Sequence, residues 1–147
     1  MPRDVYAIKV IRAVPRYLES AEFEARILND LKKKGGCERG IVYLKEQFVN
    51  KSKQSCKRSG LTNNKCLVFE PLGKSLFDFI KDNNYKGFEI GQIREIAIKT
   101  FKAIEFLHSL KLTHTDLKPE NILLKHDKCE SITNEAYFPI VSLFCFL

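Results

Sequence analysis

THTDLKPENILL, residues Thr113 to Leu124, sets a histidine, two acids, a lysine and an asparagine directly in front of an apolar run. Ile122, Leu123 and Leu124 read as a short buried strand, and a buried strand holds the residues before it in a fixed geometry. Polar chemistry crowded onto such an anchor has the construction of a catalytic loop. The segment that leads into it, FEIGQIREIAIKTFKAIEFLHSLK, has helical period. Ile93, Ala97, Thr100, Phe101, Ile104 and Leu107 are expected along its buried side.

Further upstream, Val5 to Ile11 alternates as a strand, with Ala7, Lys9 and Ile11 on one face and Tyr6, Ile8 and Val10 on the other. A lysine among small and apolar neighbours on a strand face is unusual. The next segment, RYLESAEFEARILNDLKKKGG, has helical period and ends in lysines and two glycines, the expected chemistry of a helix C-terminus. Tyr17, Ala21, Ile27, Leu28 and Leu31 share a stripe on this helix, with Glu19, Glu22, Arg26 and Asp30 opposite. Glu24 falls inside the apolar stripe. A carboxylate there is costly unless paired, so the helix requires a cation facing it.

IVYLKEQFV and CLVFE are two further strand candidates. The basic, glycine-punctuated stretch between them, NKSKQSCKRSGLTNNK, reads as a solvated surface loop. Pro71 and Gly73 in EPLGKS break the pattern as a linker would, and SLFDFIKDN after it reads as a short helix.

A chain of 147 residues is long enough for one domain or for part of a larger one. No run approaches the ~20 apolar residues of a membrane helix, and MPRDVYAIKV lacks the plan of a signal peptide. The expected compartment is cytosol or nucleus. Cys37, Cys56, Cys66, Cys129 and Cys145 show no CxxC pair and no zinc-ligand spacing, so free thiols are expected. The net charge of +7 suits acidic partners. A nucleic-acid-binding role would rest on that charge alone, without an aromatic and basic platform.

YAIK on a strand, a glutamate on the following helix, and HTDLKPEN before a short apolar strand together resemble the protein-kinase signature set, in order and in context. LTHTDLKPENILL, LVFEPLGKSLFDFIKDNN and IEFLHS are similar to the LAMMER-type dual-specificity kinases, the CLK family of the CMGC group. Thr115, where most protein kinases carry arginine, is the discriminating residue. The resemblance runs from about Val5 through Leu124, and NEAYFP near Ala136 still looks like an insertion of that family.

The resemblance implies an α+β fold that is part of a protein kinase. Residues 1–70 would be a partial small lobe, an incomplete β lobe with its αC helix. Residues 71–74 would be the hinge, and residues 75–147 a partial α-helical large lobe with the first helices and the catalytic loop. It implies ATP and Mg²⁺ as cofactors. Lys9 would hold the α- and β-phosphates, with Glu24 fixing Lys9 by an ion pair. Asp116 would accept or orient the substrate hydroxyl proton, and Lys118 would neutralise charge on the transferred group. Asn121 would bind one Mg²⁺. Phe69 would be the gatekeeper behind the adenine. The Glu70 carbonyl and the Leu72 N–H would bond to the adenine, which Ala7 and Leu123 would sandwich. His114 is expected to be structural.

By the same resemblance the function would be ATP-dependent phosphorylation of Ser/Thr, with dual specificity as an extension. The substrates would be arginine/serine-rich splicing factors, with the nucleus as the favoured compartment and no membrane partner. No glycine-rich loop precedes Lys9 in this sequence, and no Asp-Phe-Gly follows Asn121. The expectation is therefore an inactive fragment with an uncovered apolar face and poor solubility. The alternative is a non-catalytic, truncated pseudokinase that binds a nucleotide or a partner. The tail VSLFCFL matches no kinase element.

Overall fold

Strand β1 spans Ala7–Val10, shorter than the alternation from Val5 to Ile11 suggests. It pairs antiparallel with β3, Asn63–Phe69, which pairs on its other side with β2, Leu44–Lys51. The computed structural model describes residues 5–51, 63–125 and 141–143. The surface loop expected after β2 and the NEAYFP segment lie largely or wholly outside these residues.

Lys9 sits opposite Leu67 and Ala7 opposite Phe69, so the alternation carries Ala7, Lys9, Lys65, Leu67 and Phe69 to one face of the sheet. Helix α1, Pro15–Lys33, covers that face. Its proline lies at the helix start, where the missing N–H costs nothing. Ala21 and Ala25 are fully buried, and their small side chains bring the helix close to the sheet. Leu28 and Leu31 fill the core below them with Leu67, Leu44 and Phe69, each such side chain contributing about 2 kcal/mol by leaving water. Tyr17, expected in the stripe, is exposed at the helix entry. Gly35 ends the helix in the left-handed conformation at φ 78°. A Cβ on the next residue, Gly36, would lie 2.8 Å from the Leu31 carbonyl oxygen, so that position also requires glycine.

Beyond the sheet, α2 (Leu76–Asp82) starts at Ser75, whose hydroxyl accepts from the Asp78 N–H at 3.0 Å. Helix α3 (Ile90–Ser109) begins with a capping box between Glu89 and Gln92. Its buried residues are Ile96, Thr100, Ala103, Phe106 and Leu107. The stripe expected from the sequence is thus rotated by roughly 80° about the helix axis. Ile93 is 46% exposed and Phe101 71% exposed, while Ile96 and Ala103 face the core instead. Helix α3 packs against the 3-10 turn Gly36–Arg39, with the Arg39 guanidinium 5.4 Å from the Phe106 ring centre, and against the segment Val141–Leu143.

Strand β4 (Ile122–Leu124) anchors the polar loop, as expected. Its partner was not expected: Val141–Leu143, from the tail that matched nothing, forms β5 antiparallel to it. Among the described residues the fold is α+β, a three-stranded sheet with helices and a second small ladder.

Candidate functional site

The requirement raised by Glu24 is met by Lys9. The Lys9 ammonium donates to both oxygens of Glu24, at 2.9 and 2.8 Å. The Glu24 side chain is 7% exposed and that of Lys9 28%, so the carboxylate is buried and the lysine half-buried. A bidentate pair of this kind offsets the desolvation of a buried carboxylate. A cavity of about 290 Å³ opens beside the pair, between the end of β1 and the first turns of α1, where Arg12, Tyr17 and Ser20 line it.

The second group lies in the loop before β4. His114 is buried, and its carbonyl accepts from the Asp116 N–H at 2.8 Å. This tight turn forces Thr115 to φ 59°, a left-handed conformation that a β-branched residue adopts at a cost of about 1–2 kcal/mol. The turn carries Asp116 outward, where Lys118 Nζ lies 2.9 Å from its carboxylate. Asn121, buried in the 3-10 turn Pro119–Asn121, donates from Nδ2 to both the carbonyl and the carboxylate of Asp116, each at 2.8 Å. The hydrogen bond from Lys118, and next that from Asn121, hold the Asp116 carboxyl below its ordinary range. The same bond raises Lys118. Both groups are therefore charged at neutral pH. With Nδ2 turned to Asp116, the Asn121 amide has Oδ1 on its other side, the atom type a hard cation takes. The donor chemistry at Asn121 thus fits Mg²⁺, although the described residues include no cluster of three or more His, Cys, Asp or Glu that could hold a metal.

Between these groups runs the segment from Phe69 to Lys74. Phe69 is buried in the core, Leu72 packs against it, and Ala7 is exposed on β1 opposite Phe69. Leu123 is half-buried in β4 and bridges to Ser75. The Gly73 N–H donates to the Leu124 carbonyl at 2.7 Å, and the Leu124 N–H donates to the Lys74 carbonyl at 3.0 Å. The Glu70 side chain accepts from the Tyr43 N–H at 3.0 Å and pairs with Lys125 at 3.3 Å. The Glu70 N–H donates to the Tyr43 carbonyl at 3.2 Å.

Two partnerships were not anticipated. The sequence assigns a role to the Glu70 backbone alone, yet its carboxylate ties this segment to the residue after β4. Glu22, expected on the polar side of α1, pairs with Lys65 of β3 at 2.9 Å. The signal for it was the lysine in KCLVF, which is as out of place on a buried strand as Lys9 is in YAIK. Cys37 and Cys66 are free thiols, and burial pushes the Cys37 thiol up. Cys56, Cys129 and Cys145 lie outside the described residues.

Residues 2–133 match the family model "Protein kinase domain". The serine/threonine-protein kinase AFC2 of Arabidopsis thaliana is 40% identical over 124 residues, covering 83% of this chain and 26% of that protein. The dual specificity protein kinase CLK2 of Homo sapiens is 38% identical over 128 residues, 87% of this chain and 24% of its own. A solved structure, the kinase domain of PF14_0431, superposes with a TM-score of 0.76 at 34% identity, over 96% of this chain and 42% of that one. The chain spans about a quarter of the length of these curated relatives.

Proposed function

The chain belongs to the protein kinase family, and from that premise we propose that it carries the nucleotide-binding and phosphoryl-transfer loop portion of a LAMMER-like kinase. The observation that carries the reading is the Lys9–Glu24 pair, a strand lysine held through both oxygens of a buried helix carboxylate. Phosphoryl transfer demands little covalent help from the protein and much positioning of charge. Lys9 binds the α- and β-phosphates of ATP, and Glu24 sets the direction of its ammonium. Phe69 closes the back of the adenine site, Ala7 and Leu123 flank the ring, and the Glu70 carbonyl and Leu72 N–H bond to its edge.

In the loop, Asp116 is ionised and orients a substrate hydroxyl, taking its proton as the oxygen bonds to the γ-phosphorus and the bond to the ADP oxygen breaks. Lys118 lies beside Asp116 and balances the charge on the transferred group. Asn121 would hold one Mg²⁺, and when bound that ion would neutralise phosphate charge. The substrates are protein hydroxyls on Ser or Thr, with Tyr as the dual-specificity extension, and arginine/serine-rich splicing factors in the nucleus are the substrate class. No helix of the described residues is long and apolar enough to cross a membrane.

These 147 residues contain no Asp-Phe-Gly sequence. We therefore assign them nucleotide binding with negligible turnover, and the transfer activity to the longer architecture of the relatives. The test is titration with a fluorescent ATP analogue and Mg²⁺. Lys9→Met should weaken binding by about tenfold or more, the loss of a charge-assisted contact. Equal binding by the wild type and Lys9→Met would refute the nucleotide site. Measurable phosphate transfer that disappears in Asp116→Ala would refute the assignment of negligible turnover.

A further inference from the structure

At Glu70 the sheet ends and the crossing to the helical half begins. The Glu70 N–H donates to the Tyr43 carbonyl at 3.2 Å, and one oxygen of its carboxylate accepts from the Tyr43 N–H at 3.0 Å. Main chain and side chain are thus both fastened to the residue just before β2. The other carboxylate oxygen lies 3.3 Å from the Lys125 ammonium, with the two side chains 18% and 24% exposed. A pair withdrawn from water to this extent is screened less than one on the open surface.

Further along the crossing, the Gly73 N–H donates to the carbonyl of Leu124, the neighbour of Lys125, at 2.7 Å. These connections close a ring. It runs along the main chain from Glu70 to Gly73, across the hydrogen bond to Leu124, through the peptide link to Lys125, and back to Glu70 by the ion pair. Inside the ring only Pro71 and Leu72 are unpinned, and the φ of Pro71 is locked by its own side chain. Among the described residues no hydrogen bond engages the Glu70 carbonyl or the Leu72 N–H. In the proposed reading these are the groups that meet the adenine edge, so the base is read by a short span whose ends the ring defines.

The ion pair is the member of the ring that ties those ends to each other directly. Without it, Glu70 is placed by the sheet and Gly73 by β4, and the span between them follows wherever those two supports sit. The shared core sets that placement through packed side chains, but a bonding site for a ligand needs its groups within about 0.5 Å of the productive position. We propose that Lys125, acting through the Glu70 carboxylate, is a positioning residue for the purine base, fixing the direction of the Glu70 carbonyl and so the preference for a base with an exocyclic amino group. The inference rests on the reading of Glu70 and Leu72 as the adenine edge.

The experiment uses the full chain with Mg²⁺ and measures displacement of the fluorescent ATP analogue by ATP and by purine riboside triphosphate, which is ATP without its exocyclic amino group. The competitor keeps every ring nitrogen and all the phosphates, so the ratio of the affinities reports the bond to the Glu70 carbonyl. Partial unfolding or weakened phosphate binding lowers both affinities and cancels in that ratio. The wild type should prefer ATP by about fivefold, the worth of one hydrogen bond. In Lys125→Met the preference should fall to less than half its wild-type value. The same fall is expected in Glu70→Gln, which keeps an acceptor for the Tyr43 N–H, whereas Lys125→Arg, which keeps the cation, should retain the preference. A smaller fall in Lys125→Met or Glu70→Gln overturns the proposal, as does an equal fall in Lys125→Arg, and each of these results leaves the adenine reading standing. A wild type that binds the two nucleotides equally, or binds neither, refutes the adenine reading itself and takes the inference with it.

Discussion

Removing Glu24 should do more damage than removing the whole Lys9–Glu24 pair. Glu24→Ala deletes a carboxylate that is 7% exposed and leaves the Lys9 ammonium facing a buried helix surface without its bidentate partner. Breaking a buried pair from one side costs about 3–5 kcal/mol. The Lys9 side chain is 28% exposed, so water recovers part of that, and the expectation is about 3 kcal/mol. At 1.4 kcal/mol per decade this is about a hundredfold in the folding constant. With a urea slope of about 2 kcal/mol/M, the unfolding midpoint should fall by about 1.5 M at unchanged slope. Replacing both partners, in Lys9→Met/Glu24→Leu, removes the desolvation cost along with the attraction and should return the midpoint to within about 0.5 M of wild type. The assay is urea unfolding followed by far-UV circular dichroism at low micromolar concentration. If the double variant proves as unstable as Glu24→Ala, the loss comes from packing and not from a stranded charge, and the electrostatic account of the site is wrong.

Asp116 is held below its ordinary value of 3.8, first by Lys118 and then by Asn121, so the folded state binds fewer protons than the unfolded one. Its stabilising contribution is complete above that ordinary value and drains as the pH falls through the depressed folded value. Lys118 is shifted the other way, and its share persists until the pH rises past 10.5. Stability should therefore decline less steeply in acid for Asp116→Asn than for wild type; parallel declines in urea midpoints measured from pH 5 downward would contradict this. Leu67→Ala, at a position with no exposed surface between the sheet and α1, should cost about 3–4 kcal/mol, read as the same urea midpoint shift. Phe101→Lys replaces an apolar side chain that is 71% exposed on α3 and should reduce concentration-dependent self-association in sedimentation velocity without changing the melting temperature.

The parts of the site that were legible in the sequence are those that violate a local rule. Lys9 on a strand and Glu24 within an apolar stripe are each costly alone, and each implies the other. THTDLKPENILL was legible because polar groups and a buried strand adjoin within one short segment. The buried face of α3 was not, because apolar residues at positions 90, 93, 96, 98, 101 and 104 surround most of its circumference, and periodicity alone does not choose among faces. The choice is made by partners distant in sequence, among them the turn Gly36–Arg39 and strand β5. Strand β5 was hidden for a related reason, since a run as short as Val141–Leu143 becomes a strand only when a partner edge is available. Glu22 escaped notice because a lysine side chain reaches far enough to meet a carboxylate outside the buried stripe.

The backbone bonds from Gly73 and Lys74 to Leu124 have a mechanical consequence. They weld the segment after Phe69 to the strand on which Asp116 and Asn121 are mounted, and the Glu70–Lys125 pair adds a bolt at its end. Phe69 and Glu70 stay with the sheet through their pairing to Ala7, Leu44 and Tyr43, so any swing of the sheet relative to the helical half must turn about Pro71 and Leu72, with the Glu70–Lys125 pair spanning the turn. In the proposed reading, the phosphoryl-transfer loop moves with Gly73 and Lys74, while Lys9, carried by the sheet, is the element that approaches or withdraws.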